Sequence, residues 1–597
     1  MTRYASPHGA AAPSVRDAVP ELTTRAAALR SYWLAPQGRI MLAATALALA
    51  LRLYLLSRPG YLTGITEYDD GVYLGGAVSL LSGGLPYRDF AFVQPPGILL
   101  LMWPAAQIAK VSGITAALAT ARLLTVAASA ACVALTGALV RHRGPLVTLV
   151  ACGLLAVYPD DIASAHTLLL EPWMNLLVLS GARLAFQNGR LAVSRREPSS
   201  LRRPSRLLWA GVACGIAGSV KYWAVIPALV LLAGCLRGHG RRPAARLAIG
   251  TAAGFCVPVL PFALTAPGGF IRSTLLDQAS RAGSAVPLSL RLAHLTGLAD
   301  LLDDAGRLTL SGAPRSLFAR GDVTATGTWA TSWLPVLAAV ILAAVLWAGF
   351  HAARQPDPLA WYALFTLGGT LLAVLCYSAF FYHYADFAAP WLAITAGYAA
   401  QGYPRVATWL WQPRGQGALV ATTTPGRCPR LRWRGRLGGR AHWAAASRGL
   451  AVTAAALLLA ASFQAWELSG LSAADVRPDA ALIPPGACVL TDEISLAIAA
   501  GRFTAGRGNC PDVLDALAVT LVTDNGVSVQ GGAAALPREA ATWKALLGRA
   551  RYVWLSGTSG RRIPWTPGLR AWFGRTFRPV PTPPGQRGAG QVYARRA

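Results

Sequence analysis

The chain has 597 residues, of which 54% are hydrophobic and only 14% are charged. A soluble domain carries about 25% charged residues, so this composition excludes an ordinary soluble protein and indicates a protein that crosses a membrane several times. The net charge of +29 could indicate a nucleic-acid partner. The basic residues cluster between hydrophobic segments, however, as membrane topology requires, and we therefore expect no nucleic acid.

Residues 1–37 are polar and rich in Ala, Pro and Arg, which predicts a disordered cytoplasmic N-terminus. Residues 38–466 predict an all-α polytopic domain with about 11 transmembrane helices. The predicted spans are 39–56, 117–140, 145–158, 164–186, 207–220, 223–236, 247–264, 333–352, 359–380, 387–401 and 449–466. Arg52 lies inside the first span, and we expect its side chain to reach the membrane interface.

Segment 97–108 is apolar but shorter than the roughly 20 residues that a span needs, so it predicts an interfacial or re-entrant helix. If this segment does not cross, the Arg clusters at 141–143, 190–206, 237–246, 354 and 405–448 all fall on the cytoplasmic side. The positive-inside rule favours that arrangement. The loop 57–116, a short turn at 158–164, the loop 265–332 and the C-terminal segment, which we define as residues 467–597, then face outward.

The C-terminal segment is less hydrophobic and predicts a small extracytoplasmic α/β domain. Buried strands are expected at 487–490 and 552–555, and helices at 493–500 and 539–550. Cys488 and Cys510 would lie in an oxidising space, where they could form a disulfide or remain two free thiols in the core.

Two adjacent carboxylates, Asp69 and Asp70, follow the first span. Neighbouring carboxylates repel each other, which raises one pKa and suits a general base that deprotonates a hydroxyl. The alternative is a helix N-cap, with Asp69 or Asp70 capping the run 72–81.

Several further polar residues are placed near the outer ends of spans. Glu171 is a functional candidate because carboxylates at membrane depth are costly. The alternative is that it is an ion-pair partner for Lys221 or for an interfacial arginine. His166 lies five residues before it, roughly on the same helix face. Lys221 and Arg88 could each bind phosphate or simply reach lipid headgroups.

Gln94 precedes two prolines, which favour an extended backbone, so the Gln94-Pro95-Pro96 turn is at most a positioning element. His383 and Tyr384 could bind substrate or belong to an aromatic belt. No Cys/His spacing typical of a metal site occurs in the sequence.

The order of these features resembles the GT-C superfamily of integral membrane glycosyltransferases. The resemblance is strongest to the protein-mannosyltransferase and aminoarabinose-transferase branch, which includes bacterial Rgt-type enzymes. The motifs that carry it are Asp69-Asp70-Gly71-Val72-Tyr73, Pro95-Pro96-Gly97, Glu171-Pro172 and Val220-Lys221. Two departures are Asp70, where many members have Glu, and Gln94, which replaces a charged residue.

The resemblance implies a transferase in a bacterial plasma membrane that moves a sugar from a polyprenyl-phosphate donor to a glycan, lipid or protein of the cell envelope, with inversion. Asp69 would be the base, and Asp70 would orient it or help to hold a cation. Some members require a divalent ion such as Mg²⁺ or Mn²⁺ and others do not. The expected substrate-binding residues are Tyr73, Arg88, Gln94, His166, Glu171, Lys221, His383 and Tyr384.

Two other classes of function remain open at this point. A transporter or flippase of lipid-linked sugars would have broken spans in matched halves and charges at the membrane midplane. A non-catalytic sensing protein of the envelope would depend on the C-terminal segment and leave the two adjacent carboxylates unexplained.

Overall fold

The structure is a computed structural model that describes residues 30–192, 206–279, 286–299, 329–353, 356–377, 379–403, 437–506, 510–523, 537–557, 559, 562–582 and 588–596. Most of the N-terminus predicted to be disordered lies outside the described residues. So do large parts of the loop 265–332 and of the basic stretch 405–448.

Helices form nearly all of the described chain before residue 470. They are α1 (Pro36–Leu56), α2 (Tyr68–Leu81), α3 (Gly97–Leu101), α4 (Trp103–Ser112), α5 (Ile114–Val140), α6 (Pro145–Ala156), α7 (Pro159–Ala165), α8 (Leu170–Ala185), α9 (Arg206–Val220), α10 (Val225–His239), α11 (Arg241–Thr265), α12 (Pro267–Ile271), α13 (Asp277–Ala279), α14 (Leu288–Thr296), α15 (Trp329–Ala352), α16 (Pro358–Cys376), α17 (Ala385–Ala400) and α18 (Leu437–Ser469). Short hairpin strands β1 (Phe186–Gln187) and β2 (Arg190–Leu191) follow α8.

Among the described helices, seven are long and apolar enough to cross a membrane, or eight if the bent pair α6–α7 is one span. The predicted multi-pass helical membrane fold is confirmed. Each of the eleven predicted spans has a helix in its place, but several of these helices are short, and the number of crossings stays a prediction. Segment 97–108 forms two short helices, α3 and α4, that join at Met102.

The region between α6 and α8 differs from the prediction. The expected exposed turn at 158–164 is helix α7, which bends by 54° from α6 and has buried residues along its length. The expected span 164–186 is also wrong at its start, because α8 begins only at Leu170. Buried carboxylates explain the packing: Asp161 pairs with Arg52, and Asp160 lies 3.0 Å from His294 Nδ1.

Arg52 therefore does not extend to the interface as expected. It is fully buried, and its Nε donates to Ser129 Oγ over 2.7 Å while its guanidinium pairs with Asp161. Asp161 lies 109 residues further along the chain, so no local pattern predicts that it pairs with Arg52.

Helices α9 and α11 pack with their backbones almost in contact. A Cβ at Gly211 would lie 2.2 Å from the Leu247 carbonyl oxygen, and one at Gly250 would lie 2.1 Å from the Leu208 carbonyl oxygen. Glycines spaced four apart, such as Gly211 and Gly215, permit this approach between membrane helices. The packing fixes the end of α9, where Lys221 follows.

The C-terminal segment contains a four-stranded sheet. Its elements are α19 (Arg477–Ala480), β3 (Val489–Thr491), α20 (Ile494–Ala499), α21 (Ala516–Thr523), α22 (Pro537–Leu547), β4 (Tyr552–Ser556), α23 (Pro567–Thr576), β5 (Phe577–Pro579) and β6 (Gly590–Arg595). The strand order is β3-β4-β6-β5, and only β3–β4 is parallel.

The sheet forms where the sequence predicts it, because the apolar run of β4 is buried in the middle of the sheet. The predicted strands and helices of this segment match β3, β4, α20 and α22 to within a few residues. Cys488 and Cys510 form a disulfide, which settles the alternative that the sequence left open. The bounds 467–597 as a separate domain stay a prediction.

Candidate active site

Helix α2 places the two adjacent carboxylates in its first turn. The helix begins at Tyr68, and its N-cap is Glu67, whose side chain accepts a hydrogen bond from the Tyr68 N–H over 3.1 Å. The alternative that Asp69 or Asp70 is the N-cap is therefore wrong. Successive residues of an α-helix point about 100° apart, so Asp69 and Asp70 have different surroundings.

Asp70 is part of a buried ion pair. Its Oδ2 lies 2.5 Å from Arg122 Nη2, and both side chains are about 1% exposed. Its Oδ1 accepts the backbone N–H of Leu168 over 2.7 Å. The same Arg122 nitrogen also donates to Thr66 Oγ1 and to the carbonyl of Gly64. This network joins the start of α2 to α5 and to the break before α8.

Asp69 turns toward a different set of charges. Tyr73, one helical turn later, donates from its hydroxyl to Asp69 Oδ2 over 3.1 Å. Burial raises the pKa of Asp69, the nearby charges of His383 and Lys221 oppose that rise, and Glu171 adds to it. The expected cause, repulsion from Asp70, is not the main one, since Asp70 is paired with Arg122.

Glu171, Lys221 and His383 form a buried cluster. Glu171 is fully buried in the first turn of α8, and its Oε1 lies 3.3 Å from Lys221 Nζ and 2.7 Å from His383 Nδ1. The alternative that Glu171 is a partner for Lys221 is therefore confirmed as a contact. The Lys221 ammonium also lies 4.5 Å from the ring centre of Tyr384 and 4.9 Å from that of Phe387.

Lys221 and His383 lie at similar helix breaks. Lys221 has an extended backbone (φ −151°, ψ 133°) between α9 and the 3₁₀ turn Tyr222–Ala224. His383 lies in the 3₁₀ turn Tyr382–Tyr384, directly before α17. Such breaks direct side chains inward from helix ends instead of along a helix face. Helical periodicity in the sequence alone does not predict that Lys221 and His383 lie close together.

The Pro95-Pro96-Gly97 turn packs against the end of α9, close to Lys221. A Cβ at Gly97 would lie 2.4 Å from Ser219 Oγ and 2.6 Å from its carbonyl oxygen, so only glycine fits here. Ser219 lies two residues before Lys221. A positioning role for this turn agrees with the contact.

Three predicted site residues lie elsewhere. Arg88 is about half exposed and pairs with Asp89 over 2.8 Å. His166 is buried against Tyr61 and, because the chain is not helical between α7 and α8, it does not share a helix face with Glu171. Gln94 uses its backbone carbonyl to accept the Tyr87 hydroxyl over 2.6 Å. Their predicted substrate contacts stay predictions.

Glu67 is a site residue that the sequence reasoning missed. Its Oε2 accepts the Tyr382 hydroxyl over 3.1 Å, which joins the start of α2 to the turn that carries His383. Burial, together with the charge of Asp69, raises the pKa of Glu67 to about 8. The feature of the sequence that could have identified Glu67 is its position, as a third acidic residue two positions before the Asp69-Asp70 pair.

The residues present do not fit a divalent cation held jointly by Asp69 and Asp70. Both Asp70 oxygens already accept hydrogen bonds from Arg122 and Leu168, and the positive charge of Lys221 already acts on Asp69, since it opposes the rise of the Asp69 pKa. Within the described ranges, no group of three or more His, Cys, Asp or Glu side chains is arranged to hold a metal ion.

Comparisons with known proteins place this fold. Residues 104–267 match the dolichyl-phosphate-mannose-protein mannosyltransferase family. The structure is similar to that of ArnT from Cupriavidus metallidurans bound to undecaprenyl phosphate, with a TM-score of 0.52 and 15% identity over 93% of this chain and 98% of that chain. It is also similar to the oligosaccharyltransferase AglB from Archaeoglobus fulgidus in complex with an inhibitory peptide and a dolichol-phosphate, with a TM-score of 0.51 and 13% identity over 95% of this chain and 74% of that chain. No curated protein sequence matches the chain.

The fold, a helical membrane part followed by a small sheet, is similar to that of ArnT and AglB, which are GT-C glycosyltransferases. Residues 104–267 match the protein-mannosyltransferase family, and the resemblance predicted from the motifs is thereby confirmed.

Proposed function

We propose that the protein is a glycosyltransferase that moves a sugar from a polyprenyl-phosphate donor to a hydroxyl of a cell-envelope glycan, lipid or protein. The single observation that carries this proposal is the position of Asp69. Burial raises the pKa of this carboxylate, which lies near enough to the buried cluster of Lys221, His383 and Glu171 for their charges to influence that pKa. One site thus offers a base for the acceptor and a lysine cation for a phosphate leaving group.

Asp69 is the proposed general base. It takes the proton of the acceptor hydroxyl as the oxygen attacks the anomeric carbon of the donor. A carboxylate with a raised pKa accepts a proton more readily than an ordinary one, which favours this role near neutral pH. The Tyr73 hydroxyl holds the carboxylate in one orientation through Asp69 Oδ2.

Lys221 is the proposed phosphate ligand. In the proposed step, the bond between the anomeric carbon and the phosphate oxygen breaks, and the electron pair leaves with the polyprenyl phosphate. Charge-assisted hydrogen bonds from the ammonium stabilise that anion. Glu171 keeps Lys221 and His383 in place, and a single displacement of this kind inverts the anomeric centre.

We place this site on the extracytoplasmic face, from the distribution of Arg clusters along the sequence. Asp70 has a structural role in this account, because Arg122 holds it in a buried ion pair. The site is built from residues of α2, α8 and two helix breaks, so the acceptor would approach from the side of the loop 57–116.

The test is sugar transfer in membranes that contain the protein. Radiolabelled sugars on a panel of polyprenyl phosphates would be offered to wild-type membranes, to membranes without the protein and to membranes with Glu171→Gln. We expect transfer with wild type only from a matching donor, an inverted linkage in the product, and at least tenfold less product with Glu171→Gln, since Lys221 and His383 lose their shared partner.

A different result would favour another class of function. If wild type transfers no sugar from any donor but moves the labelled lipid across the bilayer of a vesicle, the protein is a flippase and the proposal fails. A retained anomeric configuration would also contradict the single displacement.

A further inference from the structure

Residues of the C-terminal segment hold the first turn of α2, the turn that carries Asp69. Ser495, in α20, accepts a hydrogen bond from the backbone N–H of Gly71 over 3.1 Å. Its hydroxyl lies 2.9 Å from the carbonyl oxygen of Glu67 and 3.0 Å from that of Tyr68, to one of which it donates. Gly71 and Glu67 are four residues apart, so Ser495 bridges the two groups that would form the first rung of the helix.

The backbone approach at this point is too close for a side chain. A Cβ at Gly71 would lie 2.4 Å from the backbone nitrogen of Ser495 and 2.5 Å from Ile494 Cγ2. One turn later, a Cβ at Gly75 would lie 3.0 Å from Leu514 Cδ2. The two glycines give α2 a smooth face on which the C-terminal segment lies.

A second contact fixes the residue before Asp69. The Tyr68 hydroxyl donates to Asp515 Oδ1 over 2.9 Å and accepts the backbone N–H of Ala516 over 2.8 Å. The Arg562 guanidinium lies 4.4 Å from the centre of the Tyr68 ring and is itself 2.7 Å from Glu493 Oε2. A partly buried, charge-assisted pair of this kind has a defined geometry.

Asp69 lies between these anchors, with Tyr68 before it and Gly71 after it. We infer that Ser495 of the C-terminal segment is a positioning residue for Asp69, acting through the first turn of α2. The link between Ser495 and catalysis rests on the proposed function. The hydrogen bonds of Ser495 do not depend on it. A displacement of about 1 Å at a reacting group can lower a rate about a hundredfold. Loss of a hydroxyl that holds one helical turn in place can therefore lower the rate substantially.

The test uses the full-length protein with Ser495→Ala, and Ser82→Ala as the matched control. Ser82 is exposed at the other end of α2, where its hydroxyl donates to the carbonyl of Val78 over 2.9 Å. Two readouts are taken: kcat and donor KM for sugar transfer, and amide hydrogen exchange of peptides that cover residues 67–75.

For Ser495→Ala we expect kcat to fall at least tenfold with donor KM within twofold of wild type, and exchange of the Gly71 amide to rise about tenfold, since one hydrogen bond is lost. Ser82→Ala should change neither quantity. Wild-type kcat with Ser495→Ala would overturn the inference while the proposed function stands. If wild type itself transfers no sugar, the proposed function fails, and unchanged exchange over residues 67–75 would overturn the inference on its own.

Discussion

Replacing Asp70 by Asn should destabilise the protein much more than it slows the chemistry. Asn keeps an oxygen that can accept the Leu168 N–H, so the substitution removes mainly the negative charge opposite Arg122. Arg122 would then be a buried cation, 1% exposed, with only the neutral acceptors Tyr61, Gly64 and Thr66.

The expected loss of stability follows from the burial of the Asp70–Arg122 ion pair. Removing one partner of a buried ion pair costs about 3–5 kcal/mol, because the other charge stays buried without compensation. Since about 1.4 kcal/mol is a tenfold change in an equilibrium constant, the ratio of folded to unfolded protein should fall by roughly a hundred- to several thousandfold.

The assay is thermal unfolding of the protein in detergent, followed by intrinsic fluorescence. Asp89→Asn is the matched control, because Asp89 lies in the same loop but its partner Arg88 is exposed. Adding Arg122→Gln to Asp70→Asn should restore part of the lost stability, since no lone cation remains.

Two results would refute this reasoning. One is an Asp70→Asn protein that melts at the same temperature as Asp89→Asn. The other is a folded Asp70→Asn fraction that loses as much transfer activity as a variant without the proposed base, which would place Asp70 in the chemistry.

Three further outcomes are expected. Lys221→Met should raise the donor KM about tenfold or more in transfer assays, whereas Arg88→Met should leave the donor KM near wild type. Equal effects of the two substitutions would show that Lys221 does not bind the donor phosphate. The pKa of Glu67 is raised from 4.5 to about 8, so its contribution to stability is present at low pH and is lost as the pH rises from about 4.5 through about 8. Between pH 5 and 9, the melting temperature of Glu67→Gln should fall less with rising pH than that of wild type. An equal fall in the two proteins would contradict this prediction. Replacing both Cys488 and Cys510 by Ala should lower stability by about 3 kcal/mol, as estimated for a crosslink between residues 22 apart, and an unchanged unfolding transition would show that the disulfide is not formed.

The fold and part of the site were readable from the sequence. Membrane helices are long apolar runs, so hydropathy located a helix for each predicted span. The buried strand β4 likewise stands out as an apolar run in a polar segment. Asp69, Glu171 and Lys221 were found because ionisable groups near membrane spans are costly and few.

The partners of these residues could not be read in the same way. Asp70 pairs with Arg122, which lies 52 residues away, and Arg52 pairs with Asp161, which lies 109 residues away. Local patterns do not contain such long-range contacts. Adjacent position in the chain suggested that Asp69 and Asp70 act together, but a helical turn directs them to different sides.

Helix breaks were the other source of error. The span expected at 164–186 starts later because Asp160 and Asp161 are buried in α7 with their own partners. Hydropathy averages over such a segment and does not show where the helix stops. The same averaging hid the extended residue at Lys221, which is the feature that places its ammonium beside Glu171.

The most direct test of the central claim is a single-turnover measurement of sugar transfer with Asp69→Asn, compared with Asp89→Asn. Both variants neutralise a carboxylate in the same loop. Asp69 lies near the charges of Lys221, His383 and Glu171, whereas Asp89 pairs with the exposed Arg88. The account predicts that Asp69→Asn slows transfer at saturating donor about 10²- to 10⁴-fold, while Asp89→Asn stays near wild type. Equal rates for the two variants, at equal amounts of folded protein, would contradict the assignment of Asp69 as the base.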